Sequence, residues 1–264
     1  MRRLLALFII FVPVIGATAA APQDDQKTVT CPELIYKQGH FRSGGETIEI
    51  EEYRPKTKGK LPVVIMVHGA GGVFSRESAS DIPEMDNFGE KQLACNGFIV
   101  LLPHYLDSTG QVSALNRDDI ARKGSRWLDT LLDAVAYAIK LKRSEGRKVF
   151  LFGESLGGYL SVALAARDPR IKAVSVFGAG KPPGVTFDRM PPVLIQHGED
   201  DDVVPVTEAL KLRAELQRNG GSILMKTYPR VGHYPNSEVQ RNIAEAAVAF
   251  FLLVSECEVI HKGR

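Results

Sequence analysis

Six short runs rich in Val, Ile, Leu and Phe constrain this chain most: residues 61–67, 98–102, 148–152, 171–177, 193–196 and 222–228, each bounded by Gly or Pro. Continuous apolar runs of this length suit strands buried on both faces, which is the environment of a parallel sheet. An earlier stretch, 47–53, instead alternates apolar and polar residues, as a half-exposed strand does. Helical patterns lie between the runs. Leu128, Leu131, Leu132, Val135 and Ile139 form one apolar stripe at helical spacing. Pro205 opens a second helix that Gly220 closes, and Ser237 with Gln240 forms a capping box ahead of the stripe Val239, Ile243, Ala247, Phe250 and Val254. Alternation of strand and helix with short connections predicts a mostly parallel sheet with helices on both faces. Ligand sites in such sheets lie at the carboxyl ends of the strands. The unusual residues fall just there, in segments 68–72, 153–158, 198–202 and 232–234.

The chain has 264 residues, 44% apolar and 24% charged, which excludes a disordered chain and a multipass membrane protein and fits one enzyme-sized domain. Its 33 Lys and Arg against 31 Asp and Glu leave a charge of +2, two of them from Arg2 and Arg3. The basic stretch 140–148 is broken by Glu145 and apolar positions, so neither nucleic acid nor an anionic membrane is expected as a partner. Arg2 and Arg3 precede an apolar run at 4–15, followed by small residues at 17–21. This is the pattern of a cleavable secretory signal peptide, residues 1–21, and the run is too short to span a membrane. Residues 22–264 are then a single domain exported to a periplasm or outside the cell, with no stable membrane anchor. Export permits disulfides. Cys31 and Cys257, near opposite ends of the mature chain, are expected to pair, leaving Cys95 as a buried helical thiol.

Gly153, Glu154, Ser155, Leu156 and Gly157 read G-x-S-x-G, directly after an apolar run and directly before a helical one. A strand that turns at once into a helix leaves no room for side chains two positions before and after the serine, and the glycines remove that clash. The turn exposes the Ser155 hydroxyl at a helix start, where free N–H groups face developing negative charge. A serine needs a base, and a histidine oriented by a carboxylate is the common one. In the order serine, acid, histidine, His233 lies between the last strand and the last helix, whereas His261 lies in the tail. The acid belongs to the loop after 193–196, which offers Glu199, Asp200, Asp201 and Asp202 in succession. An oxyanion hole needs two backbone donors, expected from Leu156 and from Ala70 in the glycine-rich segment 68–72, with Gly71 as the neighbouring alternative. His68 is read as a structural residue of that loop.

Segment 197–205 resembles the α/β-hydrolase pattern H-G-x-x-D-x-x-x-P, which puts Asp201 in the acid's place, with Asp202 the main alternative and Asp200 a solvated or capping residue. From about residue 61 onward the chain resembles an α/β-hydrolase of the dienelactone hydrolase-like group. The resemblance implies the α/β-hydrolase fold, with a mostly parallel central sheet of about eight strands, and hydrolysis of a small-molecule ester without metal or organic cofactor. Founding members of the group use cysteine where this chain has Ser155, and an acidic residue where it has His68. Glu154 matches the acid that precedes their nucleophile and is expected to face either solvent or the helix start.

Only residues 178–192 separate two core strands, too few for a large cap, so the site should be open. The longer connections at 73–81 and 106–127 place Phe74, His104, Tyr105 and Trp127 either as walls of the acyl and alcohol pockets or as packing. A serine carboxylesterase is therefore expected, with activity falling as pH drops through roughly 6 to 7, where an imidazole base protonates. A peptidase or amidase, an acyltransferase, or a non-catalytic binding protein are the alternatives on the same residues.

Overall fold

A computed structural model describes residues 31–73 and 89–262, with side chains through 256; the expected leader, Phe74 and the side chains of Cys257 and His261 lie outside the described set. The chain runs β1 (Leu34–Ser43), β2 (Glu46–Pro55), β3 (Leu61–Val67), α1 (Glu90–Cys95), β4 (Ile99–Pro103), a 3-10 turn (Tyr105–Thr109), α2 (Arg117–Lys140), β5 (Ser144–Glu154), α3 (Ser155–Arg167), β6 (Ile171–Phe177), β7 (Val193–Gly198), α4 (Val206–Arg218), β8 (Ile223–Tyr228) and α5 (Ser237–Lys262). These strands form one eight-stranded sheet in the order β1-β2-β4-β3-β5-β6-β7-β8. Strand β2 runs antiparallel to both neighbours and every other pairing is parallel, giving the α/β-hydrolase fold expected from the sequence.

The apolar runs alternate between two cores. Val63, Ile65, Val67, Leu101, Val149, Leu151, Val174, Val176 and Ile195 pack with α2, α3 and α4, while Val64, Met66, Val100, Phe150, Phe152 and Leu194 pack with α1 and α5. Both alternating positions are therefore apolar because helices cover both faces. Helix α2 lays Trp127, Leu128, Leu131, Ala134 and Val135 on the first core. Its start is capped by Asn116, whose side chain accepts from the Asp118 N–H at 2.9 Å. At the head of α5 the cap is Asn236, which accepts from the Val239 N–H at 3.0 Å, rather than the expected Ser237. The one-residue shift leaves Ser237 as the first helical residue.

The cysteine pairing differs from expectation. Cys31 is bonded to Cys95, with Cα atoms 4.8 Å apart, so Cys95 is no free thiol and Cys31 is not paired with Cys257. Chain ends are often close in space, but here the segment before β1 meets the end of α1 instead. The bridge closes across a sequence separation of 64 residues.

Candidate active site

Strands β3, β5 and β7 end at the same edge of the sheet, where segments 68–72, 153–158 and 198–202 follow them, and residues 232–234 follow β8. Ser155 is the first residue of α3 and holds φ at 47°, a left-handed conformation that a serine adopts only when its surroundings impose it. The flanking glycines show what imposes it. A Cβ on Gly157 would lie 1.9 Å from the Val67 carbonyl oxygen, and one on Gly153 would lie 2.4 Å from the Gly157 carbonyl oxygen. The elbow therefore closes only with glycine at both positions.

The Ser155 Oγ lies 2.9 Å from His233 Nε2, and His233 Nδ1 lies 2.7 Å from Asp201 Oδ2. A carboxylate accepts, so Nδ1 carries the imidazole proton and Nε2 is left to accept from the Ser155 hydroxyl. Asp201 is held by its other oxygen, Oδ1, which accepts the N–H of Val203 at 3.0 Å and of Val204 at 2.8 Å. The carboxylate side chain is fully buried, and the neighbouring Asp200 and Asp202 are exposed. Of the three candidate aspartates, Asp201 alone is brought to His233. Behind the pair stands Gly178, with φ of 61°, where an added Cβ would lie 3.2 Å from His233 Cε1.

Segment 68–72 runs beside the serine: a Cβ on Gly69 would lie 3.5 Å from the Ser155 Cβ. Its shape is fixed by the Gly72 N–H donating to the Gly69 carbonyl at 3.2 Å and by the Ala114 N–H donating to the Ala70 carbonyl at 2.7 Å. The His68 ring stacks on Tyr105 with centroids 4.2 Å apart, and its Nδ1–H donates to the Gly69 carbonyl at 2.8 Å. Burial drives the His68 pKa down from 6.5 to about 4, leaving the ring neutral. This is a loop-holding role.

Glu154 is half-buried and turns to segment 68–72 rather than capping the helix start. Its Oε1 accepts the Gly69 N–H at 3.3 Å, and burial pushes its carboxyl from 4.5 up to about 7. Sequence reading missed this contact; its only signal was an acidic residue inside the elbow. Two of the aromatic residues expected either to wall the pockets or to pack do the latter. Tyr105 is fully buried and donates its hydroxyl proton to the His68 carbonyl at 3.0 Å, and Trp127, also buried, donates its indole N–H to Thr109 Oγ1 at 2.8 Å. His104 is engaged at 3.0 Å by the buried carboxylate of Glu51. Among the described residues no group of three or more His, Cys, Asp or Glu side chains is arranged to hold a metal ion.

The sequence profile of the dienelactone hydrolase family matches residues 49–250. The acylamino-acid-releasing enzyme of Rattus norvegicus is 24% identical over 262 residues, covering 83% of this chain and 33% of that enzyme. A hydrolase of a Fusarium species is 32% identical over 191 residues, covering 68% of this chain and 42% of its own length. The chain thus spans roughly a third to two fifths of these curated relatives. Among known structures, a dienelactone hydrolase-like promiscuous phosphotriesterase from metagenomic libraries superimposes with a TM-score of 0.70 at 16% identity, covering 84% of this chain and 98% of its own.

Proposed function

Because the chain belongs to the dienelactone hydrolase family, whose profile covers most of it, we propose that it is an exported serine hydrolase cleaving small carboxylic esters through an acyl-enzyme. The observation that carries this reading is the continuous line from Ser155 Oγ through His233 Nε2 and Nδ1 to Asp201 Oδ2, with contacts of 2.9 and 2.7 Å. Ser155 Oγ attacks the ester carbonyl carbon while its proton passes to His233 Nε2. The carbonyl oxygen becomes an oxyanion and is received by the N–H groups of Leu156, at the start of α3, and of Ala70. The tetrahedral adduct collapses, His233 returns the proton to the departing alkoxide, and the alcohol leaves an acyl group on Ser155. Water, deprotonated by His233, then attacks the acyl carbon and frees the acid and the serine. Asp201 orients His233 and counters the positive charge the ring acquires.

A second reading, amide cleavage, is favoured by one finding, the likeness to an acylamino-acid-releasing enzyme. The same residues would perform it, with an amine in place of the alkoxide. Export of the chain after removal of residues 1–21 is part of the proposal and is checked by the mass of the protein recovered from the periplasm or medium.

The test is Ser155→Ala assayed on p-nitrophenyl acetate and on the matching anilide, together with labelling by a fluorophosphonate. Loss of turnover by about 10⁴ to 10⁶ is expected if the three residues act as a unit. Absence of labelling in the wild type, or an active Ser155→Ala variant, overturns the serine mechanism; faster turnover of the anilide than the ester selects the amidase.

A further inference from the structure

His197 is the second imidazole at the site, and the mechanism above does not use it. It is the penultimate residue of β7, and its side chain is fully buried. Its Nε2 lies 2.8 Å from the Val204 carbonyl oxygen and 3.4 Å from Asp201 Oδ2. A carbonyl oxygen only accepts, so Nε2 carries the proton and donates it to Val204, with Asp201 Oδ2 near enough at 3.4 Å to share it. The other ring nitrogen, Nδ1, is buried with no hydrogen-bond partner among the described residues. A residue needed only to fill this space would be apolar, because burying an unpaired nitrogen is unfavourable. An imidazole here makes sense through what Nε2 touches.

We propose that His197 is a positioning residue for Asp201, donating its Nε2–H jointly to the Val204 carbonyl and to Asp201 Oδ2, the same oxygen that receives His233. The proposal rests on the serine hydrolase reading. Four N–H groups then surround one carboxylate: Val203 and Val204 on Oδ1, and His233 and His197 on Oδ2. With both oxygens held, the carboxyl plane cannot rotate away from His233. The shared donor also withdraws charge from Oδ2, so Asp201 orients His233 without drawing so strongly on its proton that the ring becomes a poor acid in the second half of the reaction. The other titratable neighbour is Tyr159 on α3, whose hydroxyl is kept un-ionised by burial first and by the charges of Glu208 and Asp201 after it.

The experiment compares three variants of the full chain on p-nitrophenyl acetate across pH 5 to 9, with fluorophosphonate labelling to count competent sites. His197→Leu removes the donor, and His197→Asn, whose amide reaches only as far as the imidazole Nδ1, is the second donorless form should the first fail to fold. His197→Gln carries an amide N–H to the position of Nε2. Loss of the donor is expected to lower kcat about tenfold with KM within about twofold, and to move the acid limb of the kcat/KM profile upward by about half a pH unit, because a less neutralised Asp201 raises the affinity of His233 for its proton. His197→Gln should return the limb toward its original position. Donorless variants whose limb does not move, or a Gln variant as impaired as Leu or Asn, would overturn the proposal. If wild type itself is neither labelled nor active, it is the underlying serine reading that fails instead.

Discussion

Replacing Glu154 by Gln should make the protein more stable, and by an amount that depends on pH. The Glu154 carboxyl sits in the elbow with one weak donor among the described residues, the Gly69 N–H at 3.3 Å, and burial raises it from 4.5 to about 7. Below about pH 4.5 the folded and unfolded chains both hold this proton, and the group contributes no pH dependence. As pH rises toward 7 the unfolded chain releases the proton while the folded chain keeps it, so stability falls. Above about 7 the folded chain must ionise too, and the cost becomes constant. The interval from 4.5 to about 7 corresponds to ~3 kcal/mol at about 1.4 kcal/mol per pH unit. Glutamine keeps a carbonyl oxygen for the Gly69 N–H and cannot ionise. Urea unfolding of the oxidised wild type and variant at pH 4.5 and pH 8 isolates the term, since every other titrating group cancels in the difference. The variant's advantage should grow by roughly 2 to 3 kcal/mol between the two pH values. A difference that stays flat, or that grows toward low pH, would refute the assignment of Glu154 as a desolvated acid.

Two further outcomes follow from the geometry around the site and the bridge. Gly178→Ala places a methyl 3.2 Å from His233 Cε1 on a backbone with φ of 61°, so kcat should fall about 10- to 100-fold while fluorophosphonate labelling slows in parallel; unchanged kinetics would mean that the ring has room to move. Removing the Cys31–Cys95 bridge by a double Ala substitution should lower unfolding free energy by at most about 4 kcal/mol, the chain-entropy value for a loop of this size. Alkylation of the denatured, unreduced chain should then mark Cys257 alone, and any labelling of Cys31 or Cys95 would contradict the pairing.

The central sheet was legible because its strands have helices on both sides, which forces apolar residues at consecutive positions, as in Val63, Val64, Ile65, Met66 and Val67. Strand β1 was not legible for the opposite reason. It is an edge strand, Leu34–Ser43, with Lys37, Gln38, His40 and Arg42 along it, and of its residues only Phe41 and Ser43 are buried. Its existence depends on ten cross-strand partners in β2, which no local pattern announces. The cysteine pairing was hidden in the same way. Any of three cysteines can pair with another by composition, and only tertiary approach brings Cys31 to Cys95. At the site, Ser155 and His233 could be placed because each follows a strand that ends at the same edge. Asp201 and Asp202 differ by one residue in a tight turn, and what separates them is backbone direction: the N–H groups of Val203 and Val204 close on Asp201 Oδ1.

Tyr105 illustrates why residue type alone leaves a pocket wall and a packing role undecided. A large aromatic after a strand end suits a pocket wall, yet its ring is needed beneath segment 68–72, stacked on His68 and bonded to the His68 carbonyl. The consequence is electrostatic as well as steric. Burial drives His68 down to about 4, Glu154 up to about 7 and the Tyr105 hydroxyl well above its ordinary value, so below about pH 7 all three are uncharged. Each lies against the segment that would receive the oxyanion. An ionised carboxylate there would oppose the negative charge developing on the substrate, and a cationic imidazole would stabilise bound anions such as the carboxylate product along with the transition state. In the proposed reaction, neutral neighbours would leave the field at the carbonyl to the N–H groups of Ala70 and Leu156, acting on charge only as it forms. On this argument His68 and Tyr105 would serve the proposed reaction by carrying no charge, whereas Glu154 ionises above about pH 7 and would then oppose the oxyanion; the carboxylate the proposal uses, Asp201, stands on the far side of the His233 imidazole from Ser155.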